Sequence, residues 1–169
     1  MQKINKNLII DRYNESINEV MTMFLMRDIK IGQHEDIAEI SLVGDKVIIN
    51  ISIVGELVGS ITINLDIDTA KKIASIMTME ENIEFINDMH ESALKEMLNM
   101  ITGTFISKLS QIENPITNKG YNLDISSPNS SICEDNIIIK SDYSNFIKSI
   151  SYDIKEIGTF KSYLSIQGI

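Results

Sequence analysis

A repeating pattern of apolar residues in the middle of the chain predicts a long amphipathic helix. In ESALKEMLNMITGTFISKL, residues 91–109, apolar positions recur every three or four residues, as on one face of an α-helix. The apolar positions are Leu94, Leu98, Ile101, Phe105 and Leu109. A second stripe, at i, i+4, i+7 and i+11, consists of Ser92, Glu96, Asn99 and Gly103. We therefore expect one buried face and one face on which a carboxylate and a carboxamide point the same way.

Two further segments have the hydrophobic period of a helix. The first spans residues 13–27, and Gly32 is expected to end this helix or the turn just beyond it. The second spans residues 69–79, where Asp68 is expected to cap the N-terminus. Both patterns are typical of helices that pack on a sheet.

Strands are predicted on both sides of the second and third helices. Before them, residues 38–43, 46–54 and 57–65 alternate apolar and polar positions, and a turn at residues 44–45 favours an antiparallel meander. After them, strands are predicted at residues 121–125, 137–140, 145–154 and 159–166, with Gly158 at a tight reversal and residues 126–136 as a loop. The expected fold class is α+β, with a mainly antiparallel sheet and long helices covering one face.

Composition and charge narrow the functional classes. With 169 residues and 43% hydrophobic content, the chain is expected to form one domain, residues 1–169. The net charge of −9 argues against nucleic acid or an anionic membrane as the partner. No apolar stretch approaches the roughly 18 residues of a membrane span, and the N-terminal segment becomes charged too early for a secretory signal. We expect a cytoplasmic protein.

The candidate chemistry is sparse. Glu96 can hold a cation, and the Asn99 carboxamide can donate to one oxygen while it accepts from another, so the pair could orient a water. The sequence shows no glycine-rich phosphate loop, no nucleophile with a recognisable base and no metal-ligand cluster. Cys133 is expected to be a semi-buried thiol, and His90 a surface residue without a role. A Glu-x-x-Asn pair on its own is also typical of a solvated helix face.

The polar stripe resembles a family signature. Ser92, Glu96 and Asn99 resemble the S/D-x-x-x-E-x-x-N pattern of the CheX, CheC and FliY phosphatases, which dephosphorylate the chemotaxis response regulator CheY. The likeness extends over residues 59–129, through LVGSITINLDIDTAKKIASIM before the signature helix and YNLDISSPN after it. CheX is the closer match, because a CheC-type chain usually repeats the signature and this chain carries it once.

The resemblance implies a fold and a mechanism. A CheC/CheX-like fold and a homodimer are expected, with a phosphorylated CheY-like response regulator as partner. Glu96 and Asn99 are implied to be catalytic: Asn99 would align water in the regulator's active site and Glu96 would pair with the regulator's lysine. The chain would need no cofactor of its own, because the regulator supplies magnesium. The side chains of Glu96 and Asn99 are then expected to be solvent-exposed and side by side.

Ser92 and Gly103 are implied to support this pair. Ser92 could hydrogen-bond Glu96 across one helical turn, although an ordinary exposed serine fits the pattern equally well. Gly103 would let the partner's backbone approach, although packing against a neighbouring helix explains a helical glycine equally well.

Two departures from the family pattern leave alternatives open. What looks like an insertion, residues 111–120, moves Pro128 further from Asn99 than is usual, and Ser127 stands where a second proline is often found. The insertion could block the approach to the polar stripe. The chain would then be a non-catalytic module that binds a response regulator or the flagellar switch. A third possibility is a dimeric scaffold in which Glu96 and Asn99 have no role.

Overall fold

Three helices pack together on one face of an antiparallel sheet. The computed structural model describes residues 5–114, 116–140 and 147–167. Within these ranges the helices are α1 (Lys6–Leu25), α2 (Ile67–Thr78) and α3 (Asp88–Leu109). The first two residues of the strand predicted at 145–154 lie outside the described residues. Each of the three helices contacts the other two.

Eleven strands are found in the described ranges. They are β1 (Ile29–Asp36), β2 (Glu39–Leu42), β3 (Lys46–Gly55), β4 (Val58–Asp66), β5 (Glu113–Asn114), β6 (Lys119–Gly120), β7 (Leu123–Ile125), β8 (Asn129–Cys133), β9 (Ile137–Lys140), β10 (Ile147–Ile154) and β11 (Gly158–Gln167). The main sheet has the order β1-β10-β11-β4-β3-β7, and β8 also pairs with β3. Every pairing is antiparallel, which confirms the predicted α+β class.

The helix-covered face of the sheet contains the main core. In β3 the residues with odd numbers from 47 to 53 are buried against the helices. The apolar stripe predicted on α3 is confirmed, since all five of its side chains are fully buried. Tyr13 of α1 meets Phe105 of α3 edge to face, with ring centroids 5.3 Å apart, and its hydroxyl hydrogen-bonds Ser162 of the sheet. The two longest helices are thus fixed to each other and to the strands beneath them.

The predicted meander is only partly right. β3 and β4 pair directly, as expected, but β2 pairs with β9 and not with β3. The other edge of β3 is occupied by β7 and β8. Ile40 and Leu42 of β2 pack with Ile48 and Tyr163 in a second apolar cluster on the sheet face opposite the helices. The alternation identified the strands, but it contains no information on which edge each strand meets.

Three local predictions are wrong. Helix α1 ends at Leu25, where Met26 adopts the left-handed conformation and donates its N–H to the Thr22 carbonyl. Gly32 therefore does not end it, and lies within β1, a strand with seven exposed residues that the hydrophobic pattern does not reveal. The N-cap of α2 is Asp66 and not, as the pattern predicted, Asp68. Asp68 lies in the first turn, where its carboxylate interacts favourably with the helix dipole.

The predicted loop at residues 126–136 is the third error, because it contains β8. Its Ser- and Asn-rich sequence has low strand propensity, but pairing with β3 overrides that preference.

The tight reversal predicted at Gly158 is confirmed. Glycine adopts its φ of +146° readily and other residues rarely do, and a Cβ added there would lie 2.6 Å from Thr69 Oγ1. Among the helices in the described ranges, none combines the length and apolar character needed to cross a bilayer.

Candidate functional site

A reciprocal capping box fixes the start of α3. The Asn87 side chain accepts from the N–H groups of Met89 and His90 at 3.0 and 3.1 Å, while His90 Nδ1 accepts from the Asn87 N–H at 3.2 Å. Because Nδ1 accepts, Nε2 carries the proton that points to Glu80 Oε2, 2.9 Å away. His90 is only 1% exposed, so the prediction that it is a surface residue is wrong. The sequence missed it because the imidazole replaces the Glu or Gln usual at this position.

The polar stripe of α3 faces an open groove of about 480 Å³. Ser92, Glu96 and Asn99 all line it, so the predicted side-by-side arrangement of Glu96 and Asn99 is present. Glu96 is exposed, as predicted, whereas Asn99 is half-buried, so the solvent exposure predicted for it is only partly right. Neither side chain has a hydrogen-bond or ion-pair partner among the described residues. Both are therefore available to a molecule that enters the groove.

The two supporting residues behave differently from the expectation. The Ser92 hydroxyl donates to the Asp88 carbonyl at 2.7 Å and does not bond Glu96. A serine in a helix commonly donates to the carbonyl four residues earlier, so Ser92 is better interpreted as an ordinary exposed serine than as a partner of Glu96. Gly103 does not line the groove, and a Cβ added there would meet no described atom within 4 Å. Packing within the chain therefore does not explain this glycine.

The far wall of the groove is the loop between β7 and β8. Both strands run along the same edge of β3, and Ile125, Ser126, Ser127 and Pro128 at their junction line the groove opposite α3. The Ser126 N–H donates to the Ser52 carbonyl at 3.0 Å, and Ser126 Oγ accepts from the Ser52 N–H at 3.0 Å. These two bonds hold the loop against β3. The wall is thus an extension of the sheet.

A side-chain hydrogen bond joins the two walls. Glu91, one residue before Ser92 on α3, accepts from the hydroxyl of Ser130 at the start of β8. Glu91 and Lys95 have the i,i+4 spacing that favours an ion pair, but no such pair forms. Lys95 instead lines the groove, and it has no hydrogen-bond or ion-pair partner among the described residues. The groove therefore presents one cation and one anion.

Lys95 and the wall loop are the site residues that sequence reasoning missed. Lys95 follows Ser92 by three residues and precedes Asn99 by four, so a helical wheel places it beside the polar stripe. That spacing was the available signal. No comparable signal existed for Ser126 and Ser127, because only the pairing of β7 and β8 with β3 brings them to α3.

The described residues of the segment interpreted as an insertion, 111–120, lie outside the groove. Its described residues form the short hairpin of β5 and β6, which Asn114 ties back to Glu56 through a bond of 3.1 Å. No residue of 111–120 in the described ranges lines the groove, and Pro128 still faces Asn99 across it. The change in spacing therefore leaves the geometry of the groove intact.

The described residues contain no group of three or more His, Cys, Asp and Glu placed to hold a metal ion. Cys133 is half-buried, as predicted, and packs against the second apolar cluster. The expectation that the chain needs no cofactor of its own remains a prediction.

The family relationship of the chain can be tested by comparison with known proteins. The family model of the chemotaxis phosphatase CheX matches residues 47–142, which is more than half of the sequence. It spans α2, α3 and the wall loop, and it confirms the resemblance inferred from the signature. No curated protein matches the chain.

Solved structures confirm the fold. CheX from Desulfovibrio desulfuricans has a TM-score of 0.80 at 19% identity, with 95% of this chain and 99% of that chain covered. CheX in a complex with CheY, BeF3 and Mg²⁺ from Borrelia burgdorferi has a TM-score of 0.70 at 21% identity, with 98% and 100% covered. FliY from Thermotoga maritima has a TM-score of 0.66 at 19% identity, with 99% and 92% covered.

Proposed function

This chain belongs to the chemotaxis phosphatase CheX family, and on that basis we propose that it hydrolyses the aspartyl phosphate of a CheY-type response regulator. The observation that carries the proposal is the groove of α3, where Glu96 and Asn99 lie together and have no partner among the residues that the structure describes. Other polar groups of the same helix, such as His90 and Thr102, are engaged in the fold. The pair is thus free for a partner protein.

In the proposed reaction this protein supplies only the positioning of a water and the docking of the regulator. Hydrolysis joins a water oxygen to phosphorus and breaks the bond between phosphorus and the aspartyl oxygen, so inorganic phosphate and a free carboxylate result. An amide is not a base at neutral pH, so Asn99 would act by holding the water in line with the breaking bond. Glu96 would pair with the regulator's lysine and set the docking angle. The magnesium ion that neutralises the phosphoryl oxygens would come from the regulator.

The shape of the groove suits this role. Because the groove is open, a helix face can enter a partner's active site, and the half-buried Asn99 loses little side-chain freedom when it does so. The wall loop, bonded to Ser52, would meet the partner beside Asn99. A CheX protein from Borrelia burgdorferi forms a complex with CheY, which supports a regulator of that type as the partner.

Three accompanying properties belong to the proposal. The protein would act in the cytoplasm, as a single domain and as a homodimer. Sedimentation equilibrium at several protein concentrations tests the dimer: a mass twice that of the 19.1 kDa chain is expected, and a monomer at all concentrations would remove this part of the proposal.

The alternative is a binding module that lacks turnover. It is favoured by one observation: the same fold occurs in FliM of Helicobacter pylori, which was solved in complex with SpeE, at a TM-score of 0.62 and 9% identity. A protein with this fold can therefore be found bound to another protein, and the fold alone does not establish that this chain hydrolyses a phosphate.

A turnover assay separates the two functions. A phosphorylated CheY-type regulator with Mg²⁺ is followed with and without a substoichiometric amount of this protein. Release of phosphate in several-fold excess over the added protein supports the phosphatase. Unchanged decay together with measurable binding would replace it with the binding module.

A further inference from the structure

The electrostatics of the groove raise a problem that the proposed pair does not solve. Glu96 is a carboxylate on a chain of net charge −9, and the phosphoryl group of its proposed partner is also anionic. Two anionic surfaces repel each other, and the repulsion grows as solvent is excluded between them. A compensating cation beside Glu96 is therefore expected.

Lys95 is the cation that the groove contains. Among the described residues that line the groove, it is the only basic side chain, and it is adjacent in sequence to Glu96. Its position is between Ser92 and Asn99 on the helix, so its ammonium can reach a group that contacts Asn99.

Within the described part of the chain, Lys95 also has no ion-pair partner. The acidic residue best spaced to bind it is Glu91, but that carboxylate is engaged with Ser130 across the groove. Lys108, a basic residue further along α3, does have acidic partners: its Nζ lies 3.0 Å from Glu19 and 3.9 Å from Glu15 of α1. The difference between the two lysines suggests a role for Lys95 outside its own chain.

We propose that Lys95 determines specificity for the phosphorylated state of the regulator, because its ammonium offsets Glu96 and attracts the phosphoryl group. The inference rests on the proposed function, since it takes the same partner and groove. A phosphoryl group adds about 1.5 to 2 negative charges to the partner. A cation in the groove thus favours the phosphorylated form, whereas Glu96 alone disfavours it.

The test measures binding, so it does not depend on turnover. The probe is a CheY-type regulator with Mg²⁺, with or without beryllofluoride, which stands in for the phosphoryl group and is not hydrolysed. Dissociation constants are measured for the unaltered protein, for Lys95→Gln and for Lys95→Arg. Lys161→Gln, an exposed lysine of β11 outside the groove, is the matched control.

The expected result is a loss confined to the activated regulator. Lys95→Gln should weaken that complex about two- to fivefold, with little change for the regulator without beryllofluoride. Lys95→Arg should keep the affinity of the unaltered protein, because it keeps the charge, and Lys161→Gln should have no effect. The loss of affinity in Lys95→Gln should shrink as the salt concentration approaches about 0.5 M. A structural role for Lys95 would not produce this dependence on phosphorylation state and salt.

Two results would overturn the inference: equal binding by Lys95→Gln and the unaltered protein, or an equal loss with both forms of the regulator. The proposed function fails separately. If the unaltered protein shows the Lys95-dependent preference but releases no phosphate in the turnover assay, the docking role stands and catalysis is rejected. If the unaltered protein releases phosphate in the turnover assay while Lys95→Gln binds both forms of the regulator normally, the proposed catalysis stands and the role of Lys95 is rejected.

Discussion

The carboxylate of Glu91 accepts a hydrogen bond from the hydroxyl of Ser130, and this bond joins α3 to β8 across the groove. Glu91 lies one residue before Ser92, and Ser130 lies two residues after Pro128. The helix that carries the polar stripe and the loop that faces it are therefore held at a set separation. Neither residue lines the groove itself.

Breaking this bond should loosen the groove without altering the groove-lining side chains. Ser130→Ala and Glu91→Ala should each lower the free energy of unfolding by about 1 to 2 kcal/mol, since a hydrogen bond to a charged group is lost. Because the two residues share one bond, the double variant should lose less free energy of unfolding than the two single variants lose in sum. Urea denaturation of the four proteins measures this. Strictly additive losses, or an equal loss in the neighbouring control Ser131→Ala, would contradict the account.

The charge of Glu96 should matter for docking more than for the chemical step. Glu96→Gln keeps the shape of the side chain but removes the proposed pairing with the regulator's lysine. We expect KM for the phosphorylated regulator to rise about threefold to tenfold, with a smaller change in kcat. Steady-state phosphate release measures both constants. Glu84→Gln, an exposed position in the loop before α3, is the control, and the same rise in KM there would point to the net charge of the chain instead.

His90 should stabilise the start of α3. Replacing it with alanine removes both its half of the capping box and the contact with Glu80, so the free energy of unfolding should fall by about 1 to 2 kcal/mol. Thermal unfolding followed by circular dichroism measures the loss. His34→Ala, on the exposed strand β1, should be nearly neutral, and equal effects at the two positions would contradict the assignment.

Two buried tyrosines should limit stability at high pH. Burial raises the pKa of Tyr13 and of Tyr152 well above the ordinary value of 10.0. In the native state both hydroxyls stay protonated, bonded to Ser162 and Asn14, whereas the unfolded chain ionises them. The stability that they contribute is fully present below pH 10 and is lost as pH rises from there towards the native pKa.

The expected slope is about 1.4 kcal/mol per pH unit for each buried tyrosine above pH 10. Urea midpoints measured between neutral pH and pH 12 follow it. Tyr13→Phe should be less stable at neutral pH, because the hydrogen bond between Tyr13 and Ser162 is lost, but its stability should fall less steeply as pH rises above 10. An unchanged alkaline slope in this variant would show that Tyr13 does not contribute.

The sequence predicted the helices and the polar stripe better than the strand pairing. The stripe of α3 was predictable because helix period and burial are local, and Leu94 to Leu109 follow that period without interruption. β1 and β8 were missed because exposed or Ser-rich strands have no alternation to detect. The partner of β2 was missed because an alternating pattern fits any sheet edge.

The candidate site shows the same division. Glu96 and Asn99 were identified from spacing on one helix. The wall loop was not, because Ser126 reaches α3 only through the pairing of β7 and β8 with β3. His90 was misplaced because it closes a capping box in which an imidazole replaces the usual Glu or Gln, and because its other partner, Glu80, lies ten residues away in a loop.

The most direct test of the account concerns Asn99. Phosphate release from a CheY-type regulator with Mg²⁺ is measured with Asn99→Ala and with Ser107→Ala, an exposed position on the same helix outside the groove. The affinity for the beryllofluoride-activated regulator is measured in parallel. The account predicts that Asn99→Ala loses at least about a hundredfold in kcat, because water is no longer held in line, while its affinity changes little and Ser107→Ala stays active. Full turnover by Asn99→Ala would contradict the claim that this carboxamide orients the attacking water.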